Sequence, residues 1–307
     1  MASESHKTVY VALAANAGIG IAKLAGGLIS GSSAMLAEAA HSVADTTNQL
    51  LLLASLNRAD REPDSSHPFG YGKERFFWSF LAAVFIFVSG AVFSVYEGVH
   101  RIVAGGSEEG GAGIAFAVLA LALVLEGSSL IRAARQTRGE AQAKQRSFGH
   151  HIRVSRDPTT KTVVFEDSAA VAGVVLAAAG LGLAQITGDV VYDGMASIAI
   201  GVLLAIVAFT LGRDTRRLLI GEGALPEERE ALARVFDEDP RVDSLEELLT
   251  MVMGPGSLLV AARFDVADGL DSGEVEALAE ELDDKLHEAV AEVGEVFLDP
   301  TPRRVRR

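Results

Sequence analysis

Cysteine is missing from all 307 residues. Its absence excludes disulfides and thiolate metal sites, and it leaves no redox chemistry from which a compartment can be read. The opening "MASESHKTV" lacks a charged leader with a small-residue cleavage site, so the first apolar run is expected to be retained rather than cleaved. Neither H-E-x-x-H nor G-x-S-x-G occurs, which argues against an intramembrane zinc protease or a nucleophile-elbow hydrolase, and the chain reads as a non-enzyme. No basic stripe interleaved with aromatics is present, so no nucleic-acid partner is expected.

What is present is oil and acid. Hydrophobic residues make up 49% of the chain, mean hydropathy is +0.29, and the formal net charge is -14. A greasy part joined to an acidic soluble part accounts for that combination. Apolar runs of bilayer-crossing length, about 20 residues, lie near Thr8 to Ile29, Ala34 to Leu56, Phe76 to Val99, Gly113 to Ile131, Thr162 to Ile186 and Val191 to Leu211. Buried soluble helices would alternate polar and apolar faces, whereas "LAAVFIFVSGAVFSV" and "VAGVVLAAAGLGLA" do not, so six membrane spans are predicted. Their Gly, Ala and Ser content suits close helix packing in lipid.

Loop charge sets the orientation. Arg58, Arg61, Lys73 and Arg75 follow the second span, and a longer basic run including Arg132, Arg135, Arg138, Lys144 and Arg146 follows the fourth. Both loops are therefore expected on the cytoplasmic side, with both termini, in a multi-pass protein of the cell inner membrane. The segment 1–220 is read as the transport-sized membrane domain. From residue 221 to 307 the pattern becomes α-β-β-α-β, with a hairpin turn at "GPGS" between two extended stretches. Such an order makes a small sheet with helices on one face.

Within the second run stands "AEAAHSVADTTNQ". Residues four apart share a helical face, so His41 and Asp45 point the same way, with Asn48 a turn further along. Together they can grip one cation. The alternative is a histidine that merely hydrogen-bonds a neighbouring helix, but ionisable groups at mid-membrane cost about 3 kcal/mol each and are rarely kept without a partner or a pathway. Glu166 and Asp167 form a second acid cluster in the fifth run. Adjacent residues project about 100° apart, so one is expected to face the seam as a ligand while the other supports it or carries protons. They could instead be an interfacial pair satisfied by Lys161 or the loop arginines.

Six spans with H-x-x-x-D in the second, "HPFGYGKER" before the third, an acid in the fifth, "YDGMASIAIG" in the sixth, then "LLIGEGALP" and a small α-β-β-α-β domain resemble the cation diffusion facilitator family over nearly the whole chain. The resemblance implies a homodimeric antiporter exporting a divalent ion against protons, with a ferredoxin-like C-terminal domain that dimerises. It matches His41, Asp45 and Asp167 to ligands of a tetrahedral site. Val163 stands where many members place His or Asp, which makes Glu166 the substitute ligand. Imidazole with carboxylates suits Zn2+, and also Mn2+, Fe2+ or Co2+. A passive metal channel or a membrane-anchored metal sensor is the alternative.

By the same resemblance Lys73 is expected to pair with Glu222, and the terminal strand keeps Asp299 but has Phe297 where a histidine is common. His150 and His151 read as a loop patch, and His67 as structural. Glu126 and Asp193 either line a pathway or snorkel.

Overall fold

The computed structural model describes residues 2–105 and 111–301; the expected outer connection at Glu108 and Glu109 lies outside the described residues. Two compact units emerge. One takes the chain up to Asn57 together with Phe77–Thr215, and the other takes Arg58–Phe76 together with the chain from Arg216 onward.

The first unit is helical. Helix α1 runs Ala2–Ser30 and α2 runs Ser33–Ala59, separated by Gly31 in a left-handed conformation (φ 67°). The third apolar run folds as α3 (Glu74–Phe85), a π-helical segment (Ile86–Val92) and α4 (Phe93–Ala104), one continuous helix of 31 residues. Next come α5 (Ala112–Ala143), the short α6 (Phe148–Val154), α7 (Pro158–Thr187) and α8 (Val191–Ile220). Among the described residues four helices are long and apolar enough to cross a membrane: Glu74–Ala104, Ala112–Ala143, Pro158–Thr187 and Val191–Ile220. The expected six is thus four by composition. At 27 residues, about 40 Å, α2 has the length, but the polar run from Glu38 to Gln49 dilutes its apolar character.

Small residues let these helices approach closely, as expected where lipid supplies no hydrophobic drive between them. A Cβ added at Gly98 would lie 2.5 Å from the Gly194 carbonyl oxygen, and one at Gly201 would lie 2.9 Å from that of Ala91. The Ser197 hydroxyl donates to the Ser94 carbonyl at 2.7 Å in the same seam. The third span therefore lies along α8, with Gly90 against Leu204 and Ala83 near Gly212.

Helix α7 begins four residues earlier than its apolar run. Asp157 caps it by accepting from the Thr159 N–H at 2.9 Å, and Pro158 occupies the first turn, where a missing N–H costs nothing. Asp193, which the sequence left between pathway and surface, instead holds the start of α2. Its carboxylate is fully buried and accepts from the Ser32 hydroxyl (2.5 Å), the Ser33 N–H (2.6 Å) and hydroxyl (2.8 Å) and the Ala34 N–H (3.4 Å). A carboxylate there answers both the orphan amides and the positive end of the helix.

The second unit has the predicted order: α9 (Pro226–Asp237), β1 (Val242–Gly254), β2 (Ser257–Val266), α10 (Ser272–Ala289) and β3 (Val293–Asp299). Strands β1 and β2 pair antiparallel with Val252 opposite Leu258, and the turn places Pro255 before Gly256 at φ 72°, the type II arrangement. Strands β2 and β3 are parallel, joined over α10, in a three-stranded sheet of order β1-β2-β3. Phe236, Phe264, Leu278, Leu282 and Leu286 fill its core.

Residues 58–76, read from the sequence as part of the membrane domain, belong to this unit. Phe76 is buried in its core, and the Gly72 backbone meets Met253 and Gly254 so closely that an added Cβ would lie 2.7 Å from the Met253 carbonyl oxygen. Asp64 organises the loop by accepting from the Ser66 and His67 amides and from the Tyr71 hydroxyl at 2.6 Å. His67 is accordingly structural, with its ring 4.2 Å from that of Tyr71.

Candidate functional site

A cavity of about 260 Å3 opens among α1, α2, α5 and α7. His41, Asp45 and Asn48 line it from α2, and Val163, Glu166 and Asp167 from α7. Asp167 lies about 13 Å from the start of α7 and Asp45 about 21 Å from the end of α2, and both line this one cavity. Both Glu166 and Asp167 face the cavity, although a narrow seam would have admitted only one of two residues about 100° apart on a helix.

His41 is 3% exposed, and both of its ring nitrogens are buried with no hydrogen-bond partner. Buried polar groups are nearly always satisfied, so a histidine with both nitrogens open is a specific signal. Asp45 accepts from the Asn16 amide of α1 at 2.7 Å. Asn48 is buried and donates to Glu166 Oε2 at 2.6 Å, which leaves Glu166 Oε1 without a partner. Asp167 Oδ2 is likewise open and buried. Lys161 does not satisfy this acid pair: its ammonium donates to Asp214 at 2.8 Å and to the Arg153 carbonyl at 3.2 Å. Val163 lines the cavity and offers no donor atom.

Sequence reasoning missed the neighbouring charge cluster. Lys23 of α1 is fully buried and donates to Glu38 Oε2 at 2.7 Å and to Glu126 Oε1 at 2.6 Å. Glu126, which the sequence left between pathway and surface, lines the cavity from α5. The available signal was a lysine inside "GIGIAKLAGG", since a mid-span ammonium needs a partner.

Other expected contacts differ. Glu222 accepts from Arg217 at 2.5 Å, while Lys73 donates to Met251 Sδ at 3.4 Å. Among the described residues Lys73 and Glu222 are not paired, because Arg217, five residues back, reaches the carboxylate first. His150 is exposed and His151 is buried, its Nε2 3.5 Å from Glu140, so the two do not converge. Asp299 accepts from Arg263 at 2.8 Å, and Phe297 is exposed with its ring 6.1 Å from that of Phe69. His287 bonds the Asp283 carbonyl at 2.9 Å, which raises its pKa above the ordinary histidine value.

Among the described residues no three His, Asp or Glu groups converge closely enough to enclose an ion. The donors instead wall an open chamber. Their chemistry, one imidazole with oxygens and no thiolate, fits a borderline or hard divalent cation.

Long apolar helices around a polar chamber define a multi-pass membrane protein. The chain belongs to the cation efflux family: residues 9–220 match the cation efflux transmembrane domain, in agreement with the resemblance to cation diffusion facilitators. It is 35% identical over 259 residues to the mouse (Mus musculus) mitochondrial proton-coupled zinc antiporter SLC30A9, covering 84% of this chain and 46% of that protein. It is also 37% identical over 236 residues to metal tolerance protein C4 of Arabidopsis thaliana, covering 77% and 51%. Magnetosome protein MamB of Magnetospira is 28% identical over 188 residues, covering 61% of this chain and 58% of that protein. The chain thus spans about half the length of the curated relatives it matches.

Proposed function

We propose that this protein moves a divalent metal cation, zinc first, out across a membrane in exchange for protons, using the cavity between α2 and α7. The observation that carries the reading is His41, buried with both ring nitrogens open in a chamber shared with Asp45, Glu166 and Asp167. Ligands must be deprotonated to take a metal, so binding releases protons and the two cargoes compete for one set of groups. In this reading His41, Asp45 and Asp167 are ligands, Glu166 replaces the donor missing at Val163, and Asn48 orients Glu166. The name of the mouse relative, a proton-coupled zinc antiporter, supports zinc and coupling. The oxygen-rich donor set also accommodates Mn2+, Fe2+ or Co2+.

The same proposal counts α1 and α2 as spans, for six in all, puts both termini in the cytoplasm of a cell with the protein in its inner membrane, and gives the 221–307 segment a ferredoxin-like, dimer-forming role. The test is zinc flux into vesicles reconstituted with the full chain under an imposed pH gradient. His41→Ala and Asp45→Ala should each abolish proton-driven flux while leaving a folded protein. Near-normal flux by both variants refutes the site. Flux indifferent to the pH gradient would favour a passive channel, and no flux with retained zinc binding would favour a sensor.

A further inference from the structure

We propose that Glu126 is a metal-binding residue of this cavity, with Lys23 as the residue that positions it; the inference rests on the cavity reading given above. The carboxylate is divided between two tasks. Oε1 accepts from the Lys23 ammonium at 2.6 Å, while Oε2 is buried and has no partner. Glu126 lines the same chamber as the open ring nitrogens of His41. On α5 it lies three residues before Ser129, hence on the same face, and Ser129 and Asp167 line the same chamber. Glu126 therefore brings a carboxylate to the chamber from α5, a helix other than the two that carry the expected ligands.

Lys23 fixes this arrangement. It is fully buried and held by a second bond to Glu38 at 2.7 Å, so it cannot leave to serve as a solvated counter-charge. A bond to one oxygen orients the other, and a carboxylate fixed through one oxygen is a better ligand than a free one because less side-chain freedom is lost on binding. Glu126 adds, from α5, a carboxylate beyond those that α2 and α7 bring to the chamber. The Lys23 ammonium already has a carboxylate partner in Glu38, so its pairing does not by itself require Glu126.

The test is calorimetric titration of the purified full-length protein with Zn2+ at one pH. Glu126→Gln should weaken binding at least tenfold, since losing a group that only orients a ligand already costs about tenfold to a hundredfold. Removing a nearby negative charge would also weaken binding without any ligation. The deciding variant is therefore Lys23→Gln with Glu126→Gln, which removes both charges and keeps amide hydrogen bonding; it also serves if the single variant fails to fold. A ligand role predicts the same loss in the double variant. Wild-type affinity in the double variant overturns the proposal, since Glu126 would then act only as Lys23's counter-charge. His41→Ala is the separating control. Lost binding there with unchanged binding in the Glu126 variants sinks this inference alone, whereas unchanged binding in His41→Ala sinks the cavity reading itself.

Discussion

Gly173→Ala should destabilise the helical unit although alanine is the better helix former. A Cβ at Gly173 would lie 2.1 Å from Glu38 Oε1 and 3.2 Å from its Cδ, far inside van der Waals contact. Glu38 is fully buried and tied to Lys23, so its carboxylate has no solvent into which to retreat. Either α7 backs away from α2, or the carboxylate slides off Lys23. Overpacking of the first kind costs about 1–3 kcal/mol, and breaking a buried ion pair about 3–5 kcal/mol. The chain takes the cheaper route, and the gain in helix propensity returns about 1 kcal/mol, leaving a net loss of up to about 2 kcal/mol. Gly182→Ala is the internal control, because it shares α7 and its new methyl would meet only the Phe116 ring edge at 3.7 Å. Thermal unfolding of the purified protein in micelles, followed by circular dichroism, should place Gly173→Ala below wild type and Gly182→Ala at or above it. Equal melting of the two variants would refute the reasoning, since propensity is then the only term acting.

Asp193→Asn should loosen the first turn of α2, because an amide offers one acceptor oxygen where the carboxylate serves four donors; a cost of about 2–3 kcal/mol is expected, read as faster hydrogen exchange at the Ser33 and Ala34 amides. The Asp64 carboxyl is held down at about 2, first by the Tyr71 hydroxyl and then by the His67 and Ser66 amides. A depressed acid contributes stability present above its ordinary value of 3.8 and lost as the pH falls towards about 2. Order in the 64–71 loop should therefore decay across that window, and Tyr71→Phe should raise the Asp64 titration seen by carboxyl-carbon NMR.

Local patterns were readable from the sequence where neighbours decide the outcome. The spacing of His41, Asp45 and Asn48 fixed their common face, and "GPGS" fixed the hairpin, because a helical turn and a tight turn are each set within four residues. Pairings between distant residues were not readable. Lys23 meets partners 15 and 103 positions away, and no periodicity in "GIGIAKLAGG" says which acid will face it. Asn16 was passed over because a single amide in an apolar run resembles a tolerated polar residue until its bond to Asp45 is seen. Asp193 was readable as a buried acid but not as a cap, since its donors lie about 160 residues earlier. The allegiance of 58–76 was hidden for a similar reason. Its polar, turn-rich composition fits any loop, and its contacts, Phe76 in the core and the Gly72 backbone against Gly254, assign it.

The π-helical segment Ile86–Val92 gives the third span a fixed phase. An i→i+5 turn inserts one residue relative to an α-helical turn, and one residue is worth about 100° of rotation. The face leaving the segment at Val95, Gly98 and Ile102 is therefore rotated relative to the one an uninterrupted helix would continue from Ala83. That offset lets both halves lie on α8, Ala83 at Gly212 and Gly98 at Gly194. Winding the segment as a regular α-helix at its full length would turn Gly98 away by about 100° and bring another side chain to a contact where a single Cβ already falls 2.5 Å from a carbonyl oxygen. The phase of the second half thus depends on residue count: a one-residue deletion between Phe85 and Phe93 would remove the extra residue and keep Gly98 on α8, whereas a one-residue insertion would turn it away unless a second wide turn absorbed it.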